Sequence, residues 1–434
     1  MKYIVSVIAA LSLTAITSSA KSLVDMQHDS VLVSHKIIVL GDKEVSTQDY
    51  SDSLRSLIEN FYYDQFRHFQ DPDAPYFLFM SKDTKLAMGI GGAVRMRGYF
   101  DWGGAIPSPG FATYLIPMNP DPTKMRHFDT SPAGTCLFFR VIGQNKILGN
   151  YQLYIEANFN GYHTRDFHMK KAYAMVNDFT IGYASSTFSD PAALPPTVDA
   201  QGPANKISPT SVLVRWMPRK GNWVFAVSAE TPSTQIDADN TNTTKVDNWI
   251  PDGAAFIQYE WGRTSHIRLA GIIRALSYRD LISQTNHSKA GWGLQISSVA
   301  HPVDQLTTYA TANYGHGYAS LGGDLLIGNY DLIDDPRQPG RMYAPASFGW
   351  CVGLQYNFRP NLFVSTSISQ TRFLPSHTVA DSEYRYGLSG DINIFWNMTP
   401  RMQLGAEFDY GKREDFSGKS RWAKRIGAVA QFSF

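Results

Sequence analysis

From Lys85 to Phe434 apolar residues recur at every second position. Leu86, Met88, Ile90, Val94 and Met96 alternate with a second face that carries Arg95 and Arg97. Tyr384, Tyr386, Leu388, Ile392, Ile394 and Trp396 alternate with Glu383, Arg385, Ser389, Asp391 and Asn393. At the end of the chain Trp422, Ile426, Ala428, Ala430, Phe432 and Phe434 alternate with Arg425, Gln431 and Ser433. Successive side chains of a strand point to opposite faces, so a period of two predicts strands with one apolar and one polar face.

Strands of this kind suit a soluble sandwich as well as a membrane barrel. The connections separate the two. Short ones fall at 144–149, 177–178, 218–222, 262–264, 302–304, 359–361 and 398–401. Long ones fall at 102–134, 161–167, 189–210, 231–251, 280–288, 315–345, 373–381 and 412–419. Short turns alternating with long loops around an even number of strands are the layout of an outer-membrane barrel. A sandwich has no reason to sort its connections by length. The predicted fold is therefore all-β, a transmembrane antiparallel β-barrel of 16 strands over residues 80–434. Phe434, on the apolar face of the final strand, fits the C-terminal signal read by the barrel-assembly machinery.

The start of the chain breaks the pattern. Lys2, an apolar run from Ile4 to Ile16 and the small residues Ser18-Ser19-Ala20 predict a signal peptide over residues 1–20. Residues 21–75 then form a periplasmic segment with a short strand near 31–40. Ser46 or Thr47 caps a helix through about Phe69, with Tyr50, Leu54, Leu57, Ile58, Phe61, Phe66 and Phe69 near helical spacing. Asp71-Pro72-Asp73-Ala74-Pro75 ends it.

Composition narrows the picture. Aromatic residues make up 13% of the chain and glycines number 34, which suits aromatic girdles and many turns. After Ala20 no window reaches the roughly 18 to 20 apolar residues of a membrane helix. A net charge of +1 leaves no basic footprint for a nucleic acid. With only Cys136 and Cys351, a disulfide framework is excluded and one long-range bridge stays open.

A pore does no chemistry; it needs a polar interior and a narrow ring of charge. If the apolar faces meet lipid, the other faces bring Arg95, Arg97, Arg140, Lys170, Arg215, Arg268, Arg274, Arg385 and Arg425 inside. Asp101, Glu156, Glu230, Glu260, Asp391, Glu407 and Asp409 share that interior. Arginine stays charged and offers parallel donors to a carboxylate or phosphate. The alternative is that these charges pair across strands and simply solvate the lumen. The loop at 189–210, rich in proline and small residues, reads either as an inward constriction or as an extracellular flap. Acidic groups at Asp237-Asp239 and Asp331-Asp334-Asp335 lack the glycine-punctuated spacing of a Ca²⁺ loop, and His163, Asp166 and His168 read as exposed loop chemistry. No cofactor is expected.

Residues 150–203 carry a more specific pattern. Glu156 and Phe159, Lys170-Lys171-Ala172-Tyr173, Gly182, Ser186-Thr187-Phe188, Asp190-Pro191 and Gly202-Pro203 resemble the DcaP-like porins and the related phosphate-selective porins. The resemblance implies a homotrimer of sixteen-stranded barrels whose third loop folds into the lumen, passing small anionic or dicarboxylate solutes. A Lys-Lys pair stands here where that family often carries arginine. The expected function is passive or selective diffusion of small polar or anionic solutes across the outer membrane. The alternative is a scaffolding barrel that docks a periplasmic partner through the N-terminal helix. No Gly-x-Ser-x-Gly elbow or paired nucleophile points to an enzyme.

Overall fold

A computed structural model describes residues 36–39, 65–69, 71, 77–80, 86–145, 147–159, 167–262 and 264–434. The expected signal peptide, residues 47–64 of the expected helix, His163 and Asp166 lie outside the described residues.

Sixteen staves form one barrel. They are β1 (Leu86–Trp102), β2 (Arg126–Ser131 and Cys136–Asn145), β3 (Gly149–Phe159), β4 (Phe167–Val176), β5 (Phe179–Ser185), β6 (Thr210–Trp216), β7 (Trp223–Glu230) and β8 (Asp252–Trp261). The second half comprises β9 (Ser265–Asp280), β10 (Thr285–Val303), β11 (Leu306–His316), β12 (Ala346–Arg359), β13 (Leu362–Leu374), β14 (Tyr384–Asn397), β15 (Met402–Asp415) and β16 (Ser420–Ser433). Each pairs antiparallel with the next. The ring closes where β16 pairs with β1, from Lys424↔Trp102 to Ser433↔Ala93. Closure satisfies every strand edge within the ring, a requirement where no water can reach the backbone.

Burial is inverted relative to a soluble protein. On β1, Val94 and Met96 are 56% and 52% exposed, whereas Arg95 and Arg97 between and beside them are 3% and 4% exposed. The apolar alternation faces outward and the charged face inward, as the period of two predicts. Outward aromatics gather beside the short turns (Trp216, Trp223 and Tyr259) and again beside the long loops (Phe100, Tyr410 and Trp422). Amphipathic rings favour the two bilayer interfaces, so this spacing marks an apolar belt between them.

Several expectations need adjustment. Tyr384, read as part of the outward face of its strand, is fully buried and points inward. A register shift between Tyr384 and Tyr386 adds a residue on β14 and rotates Tyr384 to the other side. The loops at 280–288 and 412–419 shrink to 281–284 and 416–419, because the β9–β10 and β15–β16 hairpins keep pairing to their tips. Cys136 and Cys351 are both buried free thiols. Asp331 is no solvated loop carboxylate: it is fully buried and 3.1 Å from Arg274.

Candidate functional site

The interior is filled by three connections on the long-loop side: L1 (residues 103–125), L3 (186–209) and L6 (317–345). L3 enters deepest. Prolines at 191, 195, 196, 203 and 209 remove N–H donors, so this stretch cannot join a sheet ladder. Its backbone groups are taken up partly within the loop and by L6, and partly by side chains of the inner wall. Arg95 and Arg97 donate to the carbonyl of Val198 at 3.1 and 3.3 Å. Val198 N donates to Asn393 Oδ1 at 2.9 Å, and Asp199 N donates to Glu407. Ser365 donates to Pro196 O, and Ala204 N donates to Ser369 Oγ at 2.9 Å. Asn205 Nδ2 reaches Thr311 Oγ1 at 2.9 Å. L3 is therefore attached to β1, β11, β13, β14 and β15, and crosses the lumen.

Two glycines of the wall permit this close approach. A Cβ at Gly353 would stand 2.9 Å from the Pro195 ring, and one at Gly405 would stand 3.0 Å from Val198 Cγ2. The root of L3 is held electrostatically. Asp190 accepts from His266 Nε2 at 2.9 Å and from Ser297, with Arg268 at 3.7 Å. Burial alone would raise its pKa, but Arg268 and His266 hold the carboxyl well below the usual range. L1 and L6 meet over L3 at Asp324. That carboxylate accepts from Thr113 N at 2.7 Å, from the Thr113 hydroxyl and from Gln201 Nε2 at 3.4 Å. Burial pushes the Asp324 carboxyl up to about 6.

The inner charges separate by sign. Arg95 and Arg97 on β1, Arg140 on β2, Lys170 and Lys171 on β4 and Arg215 on β6 form a basic sector. Asp391 on β14 with Glu407 and Asp409 on β15 form an acidic one. Asp199 of L3 meets the acidic sector, with one oxygen each of Asp199, Glu407 and Asp409 within 4.8 Å of one another. Asp199 also accepts from Phe111 N at 2.9 Å and Gln201 N at 2.6 Å, with Arg425 3.5 Å away. Lys206, on L3 itself, adds a partly exposed cation whose pKa falls to about 8, chiefly through burial and the nearby Lys170.

The expected site residues fall into three groups. Arg95, Arg97, Arg140, Lys170, Arg215 and Glu156 gather in the basic sector, where Glu156 is fully buried and lies 2.9 Å from Lys170. Arg268, Arg274 and Arg425 are structural anchors. Arg274 joins Asp252 and Asp331 at 3.0 and 3.1 Å, and Arg425 grips both oxygens of Asp101 at 2.6 and 3.0 Å. Arg385 stands apart at the loop-side rim, with a side chain 52% exposed and 3.1 Å from Glu414. Sequence reasoning missed Lys171, because neighbours on a strand should face opposite ways. A register shift between Glu156 and Ala157, opposite Lys171 and Met169, turns both lysines inward. It also missed Lys206, Asp190 and Asp199, since a proline-rich loop carries no periodicity from which to read an orientation.

No protein-family model matches this sequence, and a search of curated proteins finds no match. Solved structures do match. The outer membrane channel DcaP of Acinetobacter baumannii is similar over 82% of this chain and 99% of its own, at 20% identity and a TM-score of 0.69. An anion-selective porin from Comamonas acidovorans is similar over 81% of this chain and 100% of its own, at 9% identity and a TM-score of 0.52. The in-vitro folded trimer form of OmpT of Vibrio cholerae matches at 9% identity and a TM-score of 0.51, over 81% and 100% of the two chains. The fold is that of an outer-membrane porin.

Proposed function

We propose that this protein is a bacterial outer-membrane porin through which small polar solutes diffuse, with a preference for anions. The observation that carries the reading is the placement of L3, drawn across the lumen by the Val198 carbonyl against Arg95 and Arg97. A loop held beside a basic wall narrows the path where positive charge is concentrated, and selectivity follows the charge at the narrowest point. Lys206, Lys170 and the guanidinium groups of the basic sector are the residues that set it. The acidic sector on β14 and β15 flanks it across β16, and the field between the two orients solutes carrying a carboxylate or phosphate. The trimer form of one similar structure and the anion selectivity of another favour the same properties here. Insertion would go through the barrel-assembly machinery, reading the strand that ends at Phe434. Single-channel recording in a planar bilayer under a salt gradient tests the reading. Steps with a reversal potential on the anion side are expected; firm cation preference refutes it.

A further inference from the structure

The inner wall of a water-filled pore has no use for apolar patches, yet two of those among the described residues are reached by the chain that precedes β1. One comprises Val224, Ala226, Ala254, Phe256, Ala270 and Ile272 on β7, β8 and β9. The other comprises Phe363, Phe395 and Val429 on β13, β14 and β16. L3 and L6 cover part of each, with Phe188, Ile207, Tyr318 and Leu321 on the first and Val198 on the second, and the chain that precedes β1 packs against both as well. Phe66 packs edge-on against Phe256, with ring centroids 6.2 Å apart, and Arg215 lies over its face at 4.0 Å. Phe69 meets Phe395 and Phe363 at 5.0 and 5.9 Å. Gln65 Nε2 reaches Met217 Sδ at 2.6 Å. Asp71 then places its carboxylate on both basic-sector lysines, 2.5 Å from Lys170 and 3.1 Å from Lys171. A turn closed by Asp71 N donating to His68 O at 2.9 Å presents that carboxylate.

These partners lie on β4, β6, β8, β13 and β14, so the segment reaches from one side of the ring to the other. We propose that residues 65–69 and 71 are a plug built into the chain, which fills the lumen below L3 and occupies the Lys170–Lys171 anion site with its own carboxylate. The inference rests on the porin reading and adds its regulation. Phe66 and Phe69 supply the apolar seating, for which an anionic solute offers no substitute. Asp71 supplies the one group that a solute carboxylate reproduces. A free carboxylate at sufficient concentration therefore competes for Lys170 and Lys171 and loosens the plug from its charged end.

The test uses the full chain in planar bilayers, with Phe66→Ala/Phe69→Ala and Asp71→Asn as separate variants. Heat-modifiable migration on gels checks that each has folded. The apolar double variant is expected to raise mean conductance at least twofold over the unsubstituted protein. Asp71→Asn, which leaves both aromatic seats intact, is expected to raise conductance less. It is also expected to abolish the increase in conductance, relative to bath conductivity, that is expected of the unsubstituted protein when acetate replaces chloride. A conducting unsubstituted protein whose folded variants have the same conductance and the same acetate response overturns the plug and leaves the porin reading standing. Silence from all three folded proteins overturns both.

Discussion

Replacing Arg95 and Arg97 together by Gln tests the proposed selectivity wall. Both side chains are almost wholly buried and both donate to one carbonyl, that of Val198. A buried hydrogen bond from a charged donor contributes about 1.5 to 3 kcal/mol. Glutamine is too short to reach, so the pair gives up about 3 kcal/mol or more at residues 196–199. At about 1.4 kcal/mol per factor of ten, that shifts the local docked-to-undocked ratio by at least about 100-fold. The loop does not leave, because Asn393, Glu407, Ser365 and Ser369 still hold it. It becomes locally mobile, and open-channel current noise should rise. Charge acts separately. A guanidinium about 6 Å from a passing anion contributes about 0.7 kcal/mol at the dielectric of water, so two change local anion concentration about tenfold at low salt. Screening shrinks this as the Debye length falls to about 8 Å at physiological salt. The reversal potential in a salt gradient should therefore move toward cations, more at low salt than at high. The double Arg→Lys variant keeps the charge but not the geometry, and should restore the reversal potential without fully quieting the noise. A folded Gln double variant with unchanged noise and unchanged reversal potential would refute the reasoning.

Two further outcomes follow from the packing. Asp324, whose pKa rises to about 6 from an ordinary 3.8, holds its proton more tightly in the folded loops than in the free chain. Its contribution to the L1–L6 contact is full below about pH 4 and is lost as pH rises through about 6, a change of about 3 kcal/mol. Amide exchange in residues 317–345 should accordingly be slower at pH 5 than at pH 8, after correction for intrinsic rates, and Asp324→Asn should flatten the difference. Phe434 exchanges two backbone hydrogen bonds of 2.9 Å with Gly92, tying the chain end to β1. Phe434→Asp should cut the yield of heat-modifiable barrel far more than Ser433→Asp, and equal yields would count against its role in closing the ring.

Most of the architecture was legible in the sequence. Period-two alternation needs only local backbone geometry, so Val94 and Met96 against Arg95 and Arg97 fixed which face of β1 meets lipid before any fold was drawn. The sorting of connections by length gave sixteen strands, since a membrane forces all short turns to one side. Tertiary structure decided whatever depends on partners far along the chain. Tyr384 and Lys171 face the lumen because register shifts break the alternation, and those shifts exist only through the pairing of neighbouring strands. The proline content of L3 predicted a compact segment, but its direction was set by Arg95, Arg97, Asn393 and Glu407 meeting its backbone. Phe66 and Phe69 looked like one stripe of a helix; the barrel sends them to separate apolar seats on opposite walls. A side chain's face is a local property, whereas its partner is settled only when the ring closes.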